Sequence, residues 1–207
     1  MDAELIDEPV EVAGLELRLL RPPDAAELID EQAFETEEFL PYWAELWPAG
    51  RVLAEALPAS LRGRGVLELG CGLGLPSLVA AARGARVLAT DWAPEAIELV
   101  RVNAERNGIS LEARVARWDE PAAFGPAREL VLAADVLYEA RNVSQLLALL
   151  PRLGREVLLA EPGRPAAKAF FRAVEETWQV EEAAQRVFRL TSRPGAPSSR
   201  AAPAGPA

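Results

Sequence analysis

The stretch Glu68-Leu69-Gly70-Cys71-Gly72-Leu73-Gly74 constrains this chain more than any other. It follows an apolar run that starts at Gly65 and leads into a helix-forming run that opens at Pro76. Glycines at alternate positions let the backbone turn tightly and approach a ligand closely. The helix beyond them offers unpaired backbone N–H groups. The next apolar run ends in Asp91, about 20 residues further on, where open α/β folds place a ribose-binding acid. A strand, a glycine turn, a helix and a second strand ending in an acid form the start of a ligand-binding α/β sheet.

The chain on either side agrees with such a sheet. The pattern predicts strands over 65–69, 86–90, 111–116, 130–134 and 156–160. Helices are predicted over 76–83, 94–107, 140–150 and 165–177. Pro76 and Pro94 suit first-turn positions, and Gly84 and Gly108 suit helix ends. Apolar strands alternating with helices imply a parallel sheet covered on both faces. A final antiparallel pair over 178–182 and 186–191 makes it a Rossmann-like, doubly wound, mostly parallel seven-stranded sheet. Upstream, a small hairpin is expected over 10–19 around Ala13-Gly14, with helices over 24–39 and 51–61. The expected organisation is a hairpin and helical extension over 1–62, a ligand-binding core over 63–192, and a disordered Pro-, Ala-, Ser- and Gly-rich tail over 193–207.

Composition removes several kinds of chemistry. Histidine is absent and Cys71 is the lone cysteine, so a zinc site, a Ser-His-Asp hydrolase and an intrachain disulfide are excluded, and no metal is expected. A net charge of −10 argues against nucleic acid as partner, because phosphate binding needs clustered positive charge. It is compatible with a basic partner, such as a lysine-bearing protein surface. No apolar run is long enough to span a membrane, and the acidic start Met1-Asp2-Ala3-Glu4 lacks signal-peptide order. The expected location is the cytoplasm.

Two cofactor classes use a glycine loop at this place. The dinucleotide fingerprint is G-x-G-x-x-G. Gly70 and Gly72 fit it, but its last glycine position holds Leu75, and the third glycine is Gly74. The pattern G-x-G-x-G, preceded by Glu68, favours S-adenosylmethionine over a nicotinamide or flavin dinucleotide. Asp91 then accepts the ribose hydroxyls, or caps the helix that starts near Pro94. Trp118, closing the third strand, suits adenine by stacking, although an indole at such a place also serves as core.

The fourth strand closes with Ala134-Asp135-Val136-Leu137-Tyr138. Asp135 caps the next helix, or joins Tyr138 in orienting a substrate amine through a charge-assisted hydrogen bond and an aromatic face. Trp43 and Trp47 lie four apart and would share one face of a helix, one as core and the other as a lid on the cofactor. Arg164, in Glu161-Pro162-Gly163-Arg164-Pro165, binds a carboxylate or stabilises its loop.

The run from Val66 to Gly108, VLELGCGLGLPSLVAAARGARVLATDWAPEAIELVRVNAERNG, resembles the core of class I, seven-strand S-adenosylmethionine-dependent methyltransferases. Within them it is similar to the family-16-type branch, which includes protein-lysine methyltransferases and bacterial proteins labelled nicotinamide methylase-like. Trp47, Trp118 and Ala134-Asp135-Val136-Leu137-Tyr138 carry that similarity further. PYWAELWPAG and EPGRP resemble the electron-transfer-flavoprotein β-subunit lysine methyltransferase group, with Glu161 where that group has aspartate. The resemblance implies that Gly70, Cys71 and Gly72 contact the methionine part and Asp91 the ribose, with Glu68, Gly74 and Trp92 also among the cofactor-binding residues. It implies that Trp118, Trp47 and Ala134 complete the pocket, and that Asp135 and Tyr138 stand beside the methyl-accepting nitrogen. The implied acceptor is a protein with an accessible lysine, or a small-molecule amine. The rival from another class is a non-catalytic cofactor-binding protein.

Overall fold

The structure is a computed structural model that describes residues 5–23 and 42–194. The expected helix over 24–39 and the expected tail from 195 onward lie outside the described residues.

Strands β3 (Gly65–Leu69), β4 (Arg86–Asp91), β5 (Glu112–Val115), β6 (Leu130–Ala134) and β7 (Glu156–Ala160) are mutually parallel; β8 (Trp178–Ala184) and β9 (Val187–Ser192) complete one seven-stranded sheet. Its order is β5-β4-β3-β6-β7-β9-β8, with β9 antiparallel to both β7 and β8. The chain winds outward from β3 in one direction through β4 and β5, then returns to β6 on the other side. That reversal opens a crevice at the carboxyl ends of β3 and β6.

Neighbouring strand residues face opposite layers, as the period of two requires. Val66, Leu130, Leu132 and Leu158 pack with α1 (Pro48–Ala56) and α2 (Leu75–Ala82). Leu67, Val131, Ala133 and Leu159 pack instead with α4 (Ala140–Leu153) and α5 (Ala167–Val174). All five residues of β3 are buried, Glu68 being the one polar side chain among them.

Several element limits differ from the sequence expectation, for local reasons. Helix α1 starts at Pro48 and ends at Ala56, not over 51–61. Proline's fixed φ suits the first turn, and Pro58 holds Leu57 extended. Trp43 therefore sits in a 3-10 turn (Tyr42–Ala44) and Trp47 just before α1, so they share no helical face. Helix α4 continues past Leu150 to Leu153, with Pro151 inside its last turn. Helix α5 is shorter than 165–177, since residues 161–165 are a folded loop and β8 begins at Trp178. Strand β5 is one residue shorter at each end than expected, and β8 and β9 run past 182 and 191 around Arg186, which takes φ 62° in the turn. Among the described residues no helix is long and apolar enough to cross a membrane.

The hairpin β1 (Ile6–Val12) and β2 (Leu15–Arg21) is longer than expected and turns through Ala13 and Gly14, at φ 55° and 76°. Two consecutive left-handed residues match the twist of a tight hairpin. Val10, Val12, Leu17 and Leu19 enter the same apolar cluster as β3 and α2. Two asparagines on helix α3 (Pro94–Arg106) and just after it hold the hairpin's backbone. Asn103 accepts from Leu20 N at 2.7 Å and donates to Leu20 O at 3.1 Å; Asn107 does the same to Arg18 at 2.9 Å each way. One helical turn separates the two amides, and two strand residues separate their targets, distances that match at about 6–7 Å. Arg18 stands opposite Pro9 in the register. Replacing Asn103, which is fully buried, by alanine leaves two peptide groups of β2 unpaired. The expected loss is about 2 kcal/mol in urea unfolding; an unchanged midpoint would mean that water takes over both bonds.

Candidate active site

A cleft of about 230 Å³ opens at the carboxyl ends of β3, β4 and β6 and the residues after β5. The glycine loop forms its floor. Gly70, Gly72 and Gly74 take φ of 61°, 50° and 78°, a left-handed conformation that favours glycine at each. Space is short as well: a Cβ on Gly72 would lie 3.1 Å from the Trp43 carbonyl oxygen. The loop is tied to β4 by Cys71 N donating to Thr90 O at 2.9 Å, while the Thr90 hydroxyl donates to Glu68 O at 2.6 Å.

Asp91 ends β4 and is 4% exposed. Its carboxylate accepts Gly72 N at 2.9 Å and Ala93 N at 3.1 Å. Asp91 thus clamps the glycine loop to the start of α3, and no side chain caps the helix itself. Burial raises its pKa, against the opposing effect of these backbone hydrogen bonds. Glu68 is almost fully enclosed and accepts both the backbone N–H of Ser77, at 2.9 Å, and the Ser77 hydroxyl. Desolvation outweighs those bonds and pushes the carboxyl up to about 8. Burial also raises the Cys71 thiol, so it stays protonated at neutral pH.

The walls are aromatic. Trp92 follows Asp91 and packs with Trp43, Leu73 and Ala93; Trp118 is half-buried after β5. Across the cleft, Trp47 donates from its indole to Tyr42 O at 2.6 Å. The Tyr42 ring lies 6.2 Å from Trp47 and 5.3 Å from Tyr138. Burial, reinforced by the charge of Glu139, raises the Tyr138 phenol to about 12.

Ala134 and Asp135 end β6 at the cleft. Asp135 takes φ 54°, and its N–H donates to Ala160 O at 2.9 Å, across to β7. Aspartate is one of few non-glycine residues that tolerate this conformation. Its carboxylate does not cap α4. It takes both arms of Arg164, Nε to Oδ1 at 2.7 Å and Nη2 to Oδ2 at 2.6 Å. The arginine of the EPGRP loop therefore does bind a carboxylate, one from this chain.

All twelve residues singled out from the sequence line this one cleft: Trp47, Glu68, Gly70, Cys71, Gly72, Gly74, Asp91, Trp92, Trp118, Ala134, Asp135 and Tyr138. The structure adds Tyr42, Arg117, Arg141, Asn142 and Gln145 to the lining, and it sets Arg164, already marked in the EPGRP loop, behind Asp135. The last three lining residues lie on the first turns of α4, where nothing in the local pattern marks them. Among the described residues, no group of three or more carboxylates, cysteines and histidines could hold a metal ion.

A profile of the family described as "Lysine methyltransferase" matches residues 37–177, more than half of the chain. The chain belongs to the lysine methyltransferase family. The electron transfer flavoprotein beta subunit lysine methyltransferase of Xenopus laevis is 36% identical over 137 residues, covering 60% of this chain and 53% of that protein. The human histone-arginine methyltransferase METTL23 is 32% identical over 114 residues, 50% of this chain and 59% of its own. The chain spans about half the length of the curated relatives it matches. A T. thermophilus 16S rRNA methyltransferase, solved with AdoMet and guanosine, superposes with a TM-score of 0.66 at 19% identity, over 91% of this chain and 51% of that one. That likeness confirms the doubly wound sheet.

Proposed function

We propose that this chain is an S-adenosylmethionine-dependent methyltransferase acting on nitrogen, with a lysine side chain of a protein as acceptor. The observation that carries this reading is the meeting of the glycine loop, Asp91, Trp118 and Asp135 from four parallel strands in one cleft. The donor set suits the cofactor: left-handed glycines allow close backbone approach, a buried carboxylate suits ribose hydroxyls, and indoles suit adenine. Gly70, Cys71, Gly72 and Gly74 would hold the methionine part, with Glu68 bracing them from behind through Ser77. Asp91 and Trp92 would hold the ribose, and Trp47, Trp118 and Ala134 the adenine side. Bound there, the cofactor supplies an activated methyl group on a sulfonium.

The protein then has to align and desolvate the acceptor. The cofactor would give that methyl to the acceptor nitrogen and leave as S-adenosylhomocysteine, while the chain's own residues would hold the nitrogen's lone pair toward it. A lysine at its ordinary pKa of about 10.4 must first give a proton to water. Tyr138 is no base for that proton, with its phenol near 12. Asp135 and Tyr138 would orient the acceptor instead. Tyr42 and Tyr138 stand partly exposed at the mouth, which suits an acceptor carried on a larger molecule. The names of several relatives point to the electron transfer flavoprotein beta subunit as the first acceptor to try.

Calorimetric titration is expected to show binding of S-adenosylmethionine and none of NAD; the reverse result overturns the cofactor assignment. Labelled S-adenosylmethionine with that flavoprotein subunit, and with a cell extract, then tests the acceptor. Label in a small-molecule fraction alone would replace the protein acceptor by a metabolite amine. Asp135→Asn keeps a residue that tolerates φ 54° but loses the two-oxygen pair with Arg164 that holds the side chain in place. It is expected to bind cofactor normally and lose methyl transfer by about 100-fold, the scale of one preorganised electrostatic contact. Full transfer by that variant would remove Asp135 from the acceptor site.

A further inference from the structure

Asp135 carries a fully engaged countercharge. Arg164 grips both oxygens in a fork, the planar geometry that makes such pairs strong. The Asp135 side chain is 8% exposed and that of Arg164 is 37% exposed. The loop around Arg164 is built to aim it: buried Glu161 accepts Gly163 N at 2.9 Å and Arg164 N at 2.6 Å, and its own N–H donates to Arg186 O at 3.0 Å. The guanidinium lies 6.0 Å from the Trp47 ring centroid, at the aromatic edge of the cleft. The Asp135 hydrogen bond raises the Arg164 pKa further above its ordinary value, so its charge is permanent.

A lone carboxylate beside an amine favours the ammonium form, and an ammonium has no lone pair to accept a methyl group. Resting on the amine-methylation reading above, we propose that Arg164 is a positioning residue. It orients Asp135 and cancels its charge, so that the site receives the acceptor amine neutral and nucleophilic. The lone pairs of Asp135 that Arg164 leaves free accept an N–H of that amine and turn its own lone pair toward the cleft. Among the described residues, the other charged or titratable groups that act on this pair are Glu161 on the same loop and Tyr42 from the turn before α1. Around Tyr138 stand Asp91 from β4, and Glu139 and Arg141 at the start of α4. All of them are retained in the variants compared below, as is Glu68 with its carboxyl near 8, so the comparison isolates Arg164.

The test uses the full chain as wild type, Arg164→Gln and Arg164→Lys. Calorimetry with S-adenosylmethionine comes first. Binding by all three establishes fold and cofactor site; no binding by the wild type overturns the parent reading, and this proposal with it. n-Butylammonium, a lysine side-chain mimic, is then titrated at neutral pH in the presence of S-adenosylhomocysteine. Arg164→Gln is expected to bind it at least about tenfold more tightly than wild type, because the freed carboxylate now attracts a cation. Arg164→Lys keeps the charge and should stay near wild type. With an acceptor in hand, the rising limb of the pH–rate profile should move alkaline by about one pH unit in Arg164→Gln, costing about tenfold at neutral pH and little at high pH. Unchanged butylammonium affinity in Arg164→Gln, or a rate loss equal at every pH, would make Arg164 a loop staple and refute the proposal. If Arg164→Gln fails to fold, a tenfold or greater gain in butylammonium affinity in Arg164→Lys has the same refuting force, since the charge is retained there.

Discussion

Alanine at position 74 is expected to destabilise the fold by about 2–5 kcal/mol, through the sum of backbone strain and overpacking. Gly74 holds φ 78° at the start of α2, where a side chain costs about 1–2 kcal/mol by conformation alone. The added Cβ would also lie 2.8 Å from Cγ2 of Val100, a distance real Cβ atoms do not tolerate. Val100 is fully buried on α3, packed with Cys71, Ala89 and Ile97, so it has nowhere to retreat. Either α3 moves away from the loop or the loop changes shape. Both outcomes also open the floor of the cleft, so affinity for S-adenosylmethionine should fall at temperatures where the variant remains folded. Gly108→Ala separates the two costs. Gly108 has a similar φ of 63°, but nothing lies within 4 Å of an added Cβ. Urea unfolding should show the larger loss at position 74; equal losses would mean that Val100 yields freely.

Glu68→Gln carries the second large effect, and it is a dependence on pH. The folded carboxyl titrates near 8 because it is buried, against an ordinary value of 4.5. A group raised on folding contributes its full stability below the unfolded value and loses it as pH climbs through the folded one. The wild type is therefore expected to lose stability between pH 5 and pH 8, by an amount on the order of 4–5 kcal/mol from this residue. Asp91, also raised by burial, acts in the same direction over its own range. Glutamine keeps an oxygen to accept the two Ser77 bonds and has no proton to lose. Its unfolding midpoint in urea should fall much less than that of the wild type from pH 5 to pH 8 and should exceed the wild-type value at pH 8. Parallel curves for the two proteins would show that Glu68 is already ionised at pH 5, with its charge solvated by something other than Ser77.

The parts of the fold legible in the sequence were those fixed by local rules. The five parallel strands stand within one residue of their expected limits: β3, β4, β6 and β7 are short, largely apolar runs closed by a glycine or a charged residue, while the edge strand β5 (EARV) is mostly exposed and fits least well. Pro76 and Pro94 open α2 and α3 in their first turns. The cleft was legible for a related reason. In a parallel sheet every carboxyl end faces the same rim, so residues at strand ends meet without any knowledge of the loops. What failed was what depends on order across the sheet. Arg164 and Asp135 are 29 positions apart and meet only because β7 lies beside β6 and Glu161 folds the loop back. The tryptophan pair was misplaced because Pro48, not the four-residue spacing, decides where α1 begins. Asp91 does more than a helix cap: one oxygen takes Ala93 N at the start of α3, but the other reaches back to Gly72, a contact that no helix periodicity contains.

The hairpin's attachment has a consequence beyond its own stability. A two-stranded sheet has two open edges, and each is a template on which another extended chain can dock. Here the outward peptide groups of Arg18 and Leu20 on β2 are filled by Asn107 and Asn103. On β1, the residue opposite Arg18 is Pro9, which has no N–H to offer. At these positions the margins of the hairpin are closed to a docking strand, so an element that joins no larger sheet has fewer places at which intermolecular strand exchange could start.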